Sequence, residues 1–150
     1  MQNRKIFEIV GIVSVVGSLL FVCVEINQNT TAVRGATQQA VSSQVAEMYR
    51  IVAENERIAL LLCQSFKGIS KKDLSESDYV SLWNFQMMGL RRIENIYLQY
   101  KNGLLTEDAF SRIGMGIYRT KIVREIWEER RGDFEPDFAD FFEVLRDKNN

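Results

Sequence analysis

IFEIVGIVSVVGSLLFVCVEI, Ile6–Ile26, decides the architecture of this 150-residue chain. Its charged residues are Glu8 and Glu25, near the two ends, and Val, Ile, Leu and Phe dominate between them. A helix of about 21 residues rising about 1.5 Å each measures about 31 Å, close to the hydrocarbon thickness of a bilayer. Carboxylates near the ends of such a helix reach headgroup water. A soluble core helix of this length carries a polar stripe on its solvent side. None is visible, so the segment reads as a membrane span.

Two other readings fit less well. Arg4 and Lys5 precede the apolar run as the positive region of an export signal does, but the run is long and VCVEI lacks a small-x-small cleavage site. LFVC, Leu20–Cys23, faintly matches a lipoprotein lipobox, yet Val22 stands where a small residue is needed. The expectation is an uncleaved, single-pass signal anchor: a tail over 1–5, a span over 6–26 and a helical domain over 27–150. Arg4 and Lys5 against Arg34 lean the N-terminus inward by the positive-inside bias. Lone Cys63 is more at ease in a reducing compartment. Both orientations of the domain stay open.

The span has a candidate contact face. At 100° per residue, Gly11, Ser14, Ser18 and Glu25 fall within an arc of about 60°. Small residues on one side let helices approach closely in lipid, and Ser14 and Ser18 form a small-x-x-x-small pair.

Beyond the span the periodicity is helical, with no strand-like alternation. Val41, Val45, Met48 and Val52 share one side of a slender helix that continues out of the span. Asn55 caps ERIALLLCQSF, which closes at Lys67-Gly68. KGISKKDLSES reads as a loop, and Ser75 with Asp78 resembles a capping box. The following central helix turns Tyr79, Trp83, Met87, Leu90, Ile93 and Tyr97 inward and stops at Asn102-Gly103. Thr106 is the expected cap of TEDAFSRIGMGIYR, whose middle Gly114 and Gly116 weaken, with a break near Thr120. KIVREIWEERRG buries Ile122, Ile126 and Trp127. A last helix opens on Pro136, suited to a first turn, and covers the bundle with Phe138, Phe141, Phe142 and Leu145. The fold class is all-α: a membrane helix followed by a bundle of about five to six helices.

Composition excludes several chemistries. The net charge is −1, so no basic field draws nucleic acid. There is no histidine. Ser-His or Cys-His nucleophiles and histidine-ligated metals are therefore absent. Cys23 and Cys63 fit neither a disulfide framework nor a zinc spacing. No Gly-rich phosphate loop, EF-hand or paired-carboxylate motif occurs. Neither a cofactor nor a metal is expected.

Glu94 is the polar residue of most interest, since it shares the apolar face of the central helix. A carboxylate there needs a partner, and Arg91, Arg50 or Arg124 could supply it. A salt bridge that fixes helix register is the favoured role. A ligand site bordered by Glu94, Tyr97, Trp83 and Trp127 is the alternative, although aromatics at helical spacing are more often core.

VGSLLFVCVEINQNTTAVR (Val16–Arg34), RRIENIYLQYKNGLL (Arg91–Leu105) and WEERRGDFEPDF (Trp127–Phe138) together resemble a widespread group of short bacterial proteins of unknown function. Proteins of that group look like a single N-terminal span, a QNT-type exit such as Gln28-Asn29-Thr30, and a small helical domain. Asn55-Glu56 stands where the group has an Asp-Pro-like break. The resemblance implies a bacterial inner-membrane protein and carries no catalytic residue. The expected role is a membrane-anchored, non-enzymatic scaffold or accessory subunit whose partners are the lipid bilayer and another membrane protein or itself. A small-ligand sensor or transport accessory is the runner-up. A carboxylate enzyme is more remote, since Glu94 lacks a second acid.

Overall fold

The computed structural model describes residues 2–148, with side-chain surroundings from residue 11 onward. Met1 and the side chains of residues 2–10, those of the expected tail and of Glu8 included, lie outside the described set. The chain is 84% helical, and no strand occurs among the described residues. It divides into two compact units, Met1–Gln39 and Ala40–Asn150.

Helix α1 spans Gln2–Glu54. Its sequence has no proline, so nothing removes an i→i−4 hydrogen bond along it. Asn55 ends it: the backbone there is extended (φ −128°), and the Asn55 side chain accepts from the Ile58 N–H at 3.2 Å, capping α2, Glu56–Phe66. Within the second unit, Val41, Met48, Ile51 and Val52 of α1 pack against the core, and Val45 is half-buried. Helix α2 stops at Lys67 and turns through Gly68, whose φ of +85° favours glycine.

A short 3₁₀ turn, Lys71–Asp73, separates α2 from α3. The Asp73 carboxylate accepts from both the backbone N–H (2.9 Å) and the hydroxyl (2.7 Å) of Ser70. Helix α3, Glu76–Lys101, starts where Ser75 Oγ accepts from the Asp78 N–H at 3.1 Å. It ends at Asn102 and Gly103, the latter at φ +71°. Its buried side is wider than the expected stripe. Tyr79, Leu90, Ile93 and Tyr97 are buried, with Leu82, Phe85 and Ile96 beside them, while Trp83 and Met87 are half-exposed. Helix α3 is packed on by more than one neighbour, so more than a single stripe is covered.

One expected helix does not form as read. TEDAFSRIGMGIYR gives only α4, Asp108–Ser111, and after a break a 3₁₀ turn at Ile117–Arg119. Thr106 contributes its carbonyl to the Ala109 N–H and makes no side-chain cap. Ile113 and Tyr118 are both buried. In a straight helix they would point about 140° apart. The interruption from Arg112 to Gly116, a stretch that contains the two helix-weakening glycines, lets both side chains go inward.

Helix α5, Lys121–Arg130, buries Ile122, Val123, Ile126 and Trp127. Helix α6 follows a further 3₁₀ turn (Arg131–Asp133), spans Pro136–Asp147 with Pro136 in its first turn, and buries Phe138 and Phe142. Phe141 and Leu145 are half-covered. Ring-to-ring contacts run Phe134–Trp127–Phe142 and Phe134–Phe138–Tyr97–Phe141–Phe110, with centroids 4.5–5.7 Å apart.

Candidate functional site

In the first unit, α1 is long and apolar enough to cross a membrane, and none of its most apolar window is buried by protein. Phe21, Leu20 and Leu19 are largely exposed. Gly11, Ser14, Ser18 and Glu25 are exposed on this continuous helix. Beyond its chain neighbours and the helix's own backbone, a Cβ added at Gly11 meets no described atom within 4 Å. Ser18 Oγ donates to the Ser14 carbonyl at 2.9 Å. Its proton is thereby satisfied inside the helix. Thr30 and Thr31 make the same bond to Ile26 and Asn27, at 2.8 and 2.9 Å.

The four residues singled out in the body are dispersed. Glu94 pairs with Arg91 at 2.8 Å, its side chain only 16% exposed. Arg50 and Arg124 are engaged elsewhere, with Glu47 and Asp147. Arg91 also donates to the Asp133 carbonyl at 2.9 Å and lies 4.3 Å over the Phe134 ring, tying α3 to the turn before α6. Tyr97 and Trp127 sit in the aromatic core, closed on by phenylalanines. Trp83 stands apart: the Arg130 guanidinium covers its ring at 3.7 Å, and its indole N–H has no hydrogen-bond partner.

Two polar clusters are not foreshadowed by the sequence. Trp127 Nε1 donates to Glu143 Oε1 at 2.9 Å, and Arg131 Nε donates to the same oxygen at 2.8 Å. Those two donors hold the Glu143 carboxyl below its ordinary range. Lys71 Nζ and the Tyr79 hydroxyl both donate to Glu129, at 2.7 Å each, and lower it likewise. Desolvation, aided by Glu129, pushes the Tyr79 hydroxyl up. Both clusters join residues far apart in the chain, and no local spacing announces them.

A groove of about 500 Å³ opens between the end of α3, α4 and α6. Phe110 and Ile113 form its floor, with Tyr100, Met115, Val144 and Leu145 around them. Tyr100 meets Phe110 edge-on at 5.4 Å. Glu107, Asp108, Arg119 and Lys148 border it. The Gly114–Gly116 interruption is the available sequence signal, because it is where helical cover ends. A second groove, beside Glu94, is bordered by Arg91, Arg131, Asp133 and Phe134 and includes neither Tyr97 nor Trp127.

Among the described residues no cluster of three or more Cys, Asp or Glu side chains is placed to hold a metal ion. Comparison of the chain with protein families, with curated proteins and with solved structures finds no match.

Proposed function

We propose that this chain is a membrane-anchored, non-enzymatic helical module of a bacterial inner membrane, crossing it once through the N-terminal part of α1. In this reading it binds another membrane protein, or a second copy of itself, and positions it at the bilayer. The observation that carries the reading is the uncovered apolar surface of α1 around Leu19, Leu20 and Phe21. A contiguous apolar surface of that extent is stable in lipid or against a partner, and costly in water. The Gly11, Ser14, Ser18 and Glu25 side offers a close-approach face for the partner helix.

Fractionation of cells expressing the full-length chain tests the anchor. The protein is expected in the membrane pellet, resistant to alkaline carbonate and released by detergent. Recovery of intact protein from the soluble pool without detergent overturns the reading. A reporter of membrane-helix association tests the face: Ser18→Leu should reduce the signal, and an unchanged signal removes Ser18 from the contact.

A further inference from the structure

We propose that the groove between α3, α4 and α6 seats an amphipathic helical segment of a partner protein; this rests on the protein-binding reading above and locates its site. The groove exists because α4 lasts a single turn, so the side chains at the end of α3 and along α6 lack the cover a longer helix would give. Phe110 and Ile113 are buried in its floor, whereas Val144 is 70% exposed and Tyr100 38% exposed at its edges. A volume of about 500 Å³ accepts roughly two or three apolar anchor side chains, the number a docked amphipathic helix presents at i, i+3 or i+4, and i+7.

The charges at the border select the class of occupant. Glu107 and Asp108 come from the start of α4, and Arg119 and Lys148 from the 3₁₀ turn and the end of α6. Arg119 is fixed in place: Nε donates to the Arg146 carbonyl and an Nη to the Lys148 carbonyl, both at 2.7 Å. Glu107, Asp108 and Lys148 form no ion pair among the described residues. Unspent charges of both signs therefore line one groove together with Phe110, Ile113, Val144 and Leu145. An anionic lipid surface would be repelled by Glu107 and Asp108. A helix with an apolar stripe between a basic edge and an acidic edge matches both signs at once, and it can dock in the direction that pairs them.

The test uses full-length protein in nanodiscs of zwitterionic lipid, with empty nanodiscs as the baseline. The probes are labelled helical peptides of about 18 residues sharing one leucine stripe. One carries Lys along one edge and Glu along the other; two comparators carry Lys on both edges or Glu on both. The mixed-edge peptide should bind at least about tenfold tighter than either comparator. Val144→Glu, at an exposed position, should weaken it by about tenfold or more, and Lys148→Glu should move the preference to the double-Lys peptide. Equal binding of the three peptides, or binding indifferent to Val144→Glu, overturns the proposal. Displacement of the peptide by dodecanoate at lower concentration assigns the groove to an acyl chain and overturns it too. Self-association abolished by Val144→Glu makes a second copy the occupant, against the partner proposed. If membrane association with another protein persists in Val144→Glu/Lys148→Glu, the groove assignment falls while the scaffold reading stands. Soluble full-length protein that binds the mixed-edge peptide does the opposite, upholding the groove and removing the anchor.

Discussion

Tyr118 sets its hydroxyl against the backbone of Gly89, in the space a side chain at that position would fill. Met48 Cε lies 3.2 Å from the same point, so the end of α1, the middle of α3 and the turn at Ile117–Arg119 meet over a missing Cβ. Tyr118 is only 3% exposed, and a close-packed interior gives a rigid ring little room to move aside. Gly89→Ala should therefore destabilise the fold by about 1–2 kcal/mol, overpacking outweighing the helix-propensity gain of about 1 kcal/mol. Tyr118→Phe deletes the nearest atom, so it should recover part of that loss in the double variant. Thermal unfolding of the four proteins of this cycle in detergent checks it; an additive pair of effects would show that the two residues do not oppose each other.

Part of the acid sensitivity should run through Glu143, beside other depressed carboxylates such as Asp147. Its carboxyl titrates lower in the folded protein than the ordinary value of 4.5, because Trp127 and Arg131 donate to the charged form. A depressed carboxylate contributes stability above its unfolded pKa, and that contribution is lost as pH falls through the folded value. The melting temperature should decline as pH drops below about 4.5, and Glu143→Gln should flatten the decline while costing about 1 kcal/mol at neutral pH. A variant with an unchanged acid slope would remove Glu143 as a contributor. Glu129, held low by Lys71 and Tyr79, adds to the same slope and should remain responsive in that variant.

Helix ends are legible in the sequence because they are written in a few adjacent residues. Asn55, Ser75, Asn102-Gly103 and Pro136 each act through their own side chain, ring or backbone, so the residue type is enough to place them. The stretch after Thr106 departs from its expected helix because apolar spacing there is compatible with one, and only the packing of Ile113 and Tyr118 decides against it. Helical spacing likewise tells that Tyr97, Trp83 and Trp127 lie on apolar faces without telling what stands opposite. Phenylalanines of α6 and its preceding turn fill that space for Tyr97 and Trp127, and Arg130 covers Trp83. The groove beside α4 is invisible to sequence for a related reason: it is made by turns of helix that do not form.

Asn55 separates α1 from α2 with one side-chain hydrogen bond, to the Ile58 N–H. Asn55→Ala should cost about 1 kcal/mol, whereas Asn55→Asp or Asn55→Ser should stay within a few tenths. Helix α2 carries Ile58 and Leu61 into the core, so the loss should appear in global unfolding and in faster amide exchange across α2. Equal stability of the Ala and Ser variants would mean that the break at this point is imposed by packing and not by the cap.

Gln86 is the amide least at home in this core. It is 1% exposed on α3, and its Nε2 group finds no hydrogen-bond partner. An amide N–H₂ taken out of water without an acceptor costs roughly 1–3 kcal/mol, while an apolar side chain of similar volume incurs no such penalty. Methionine is close in length and flexible enough to follow the same path. Gln86→Met is therefore expected to raise stability by about 1 kcal/mol, seen as a higher melting temperature with unchanged helicity. Gln86→Ala should lower it through the cavity it opens, by about 1–2 kcal/mol. If Gln86→Met instead destabilised the protein as much as Gln86→Ala, the amide would have to be bonded in the folded state, and α3 would owe part of its register to that bond.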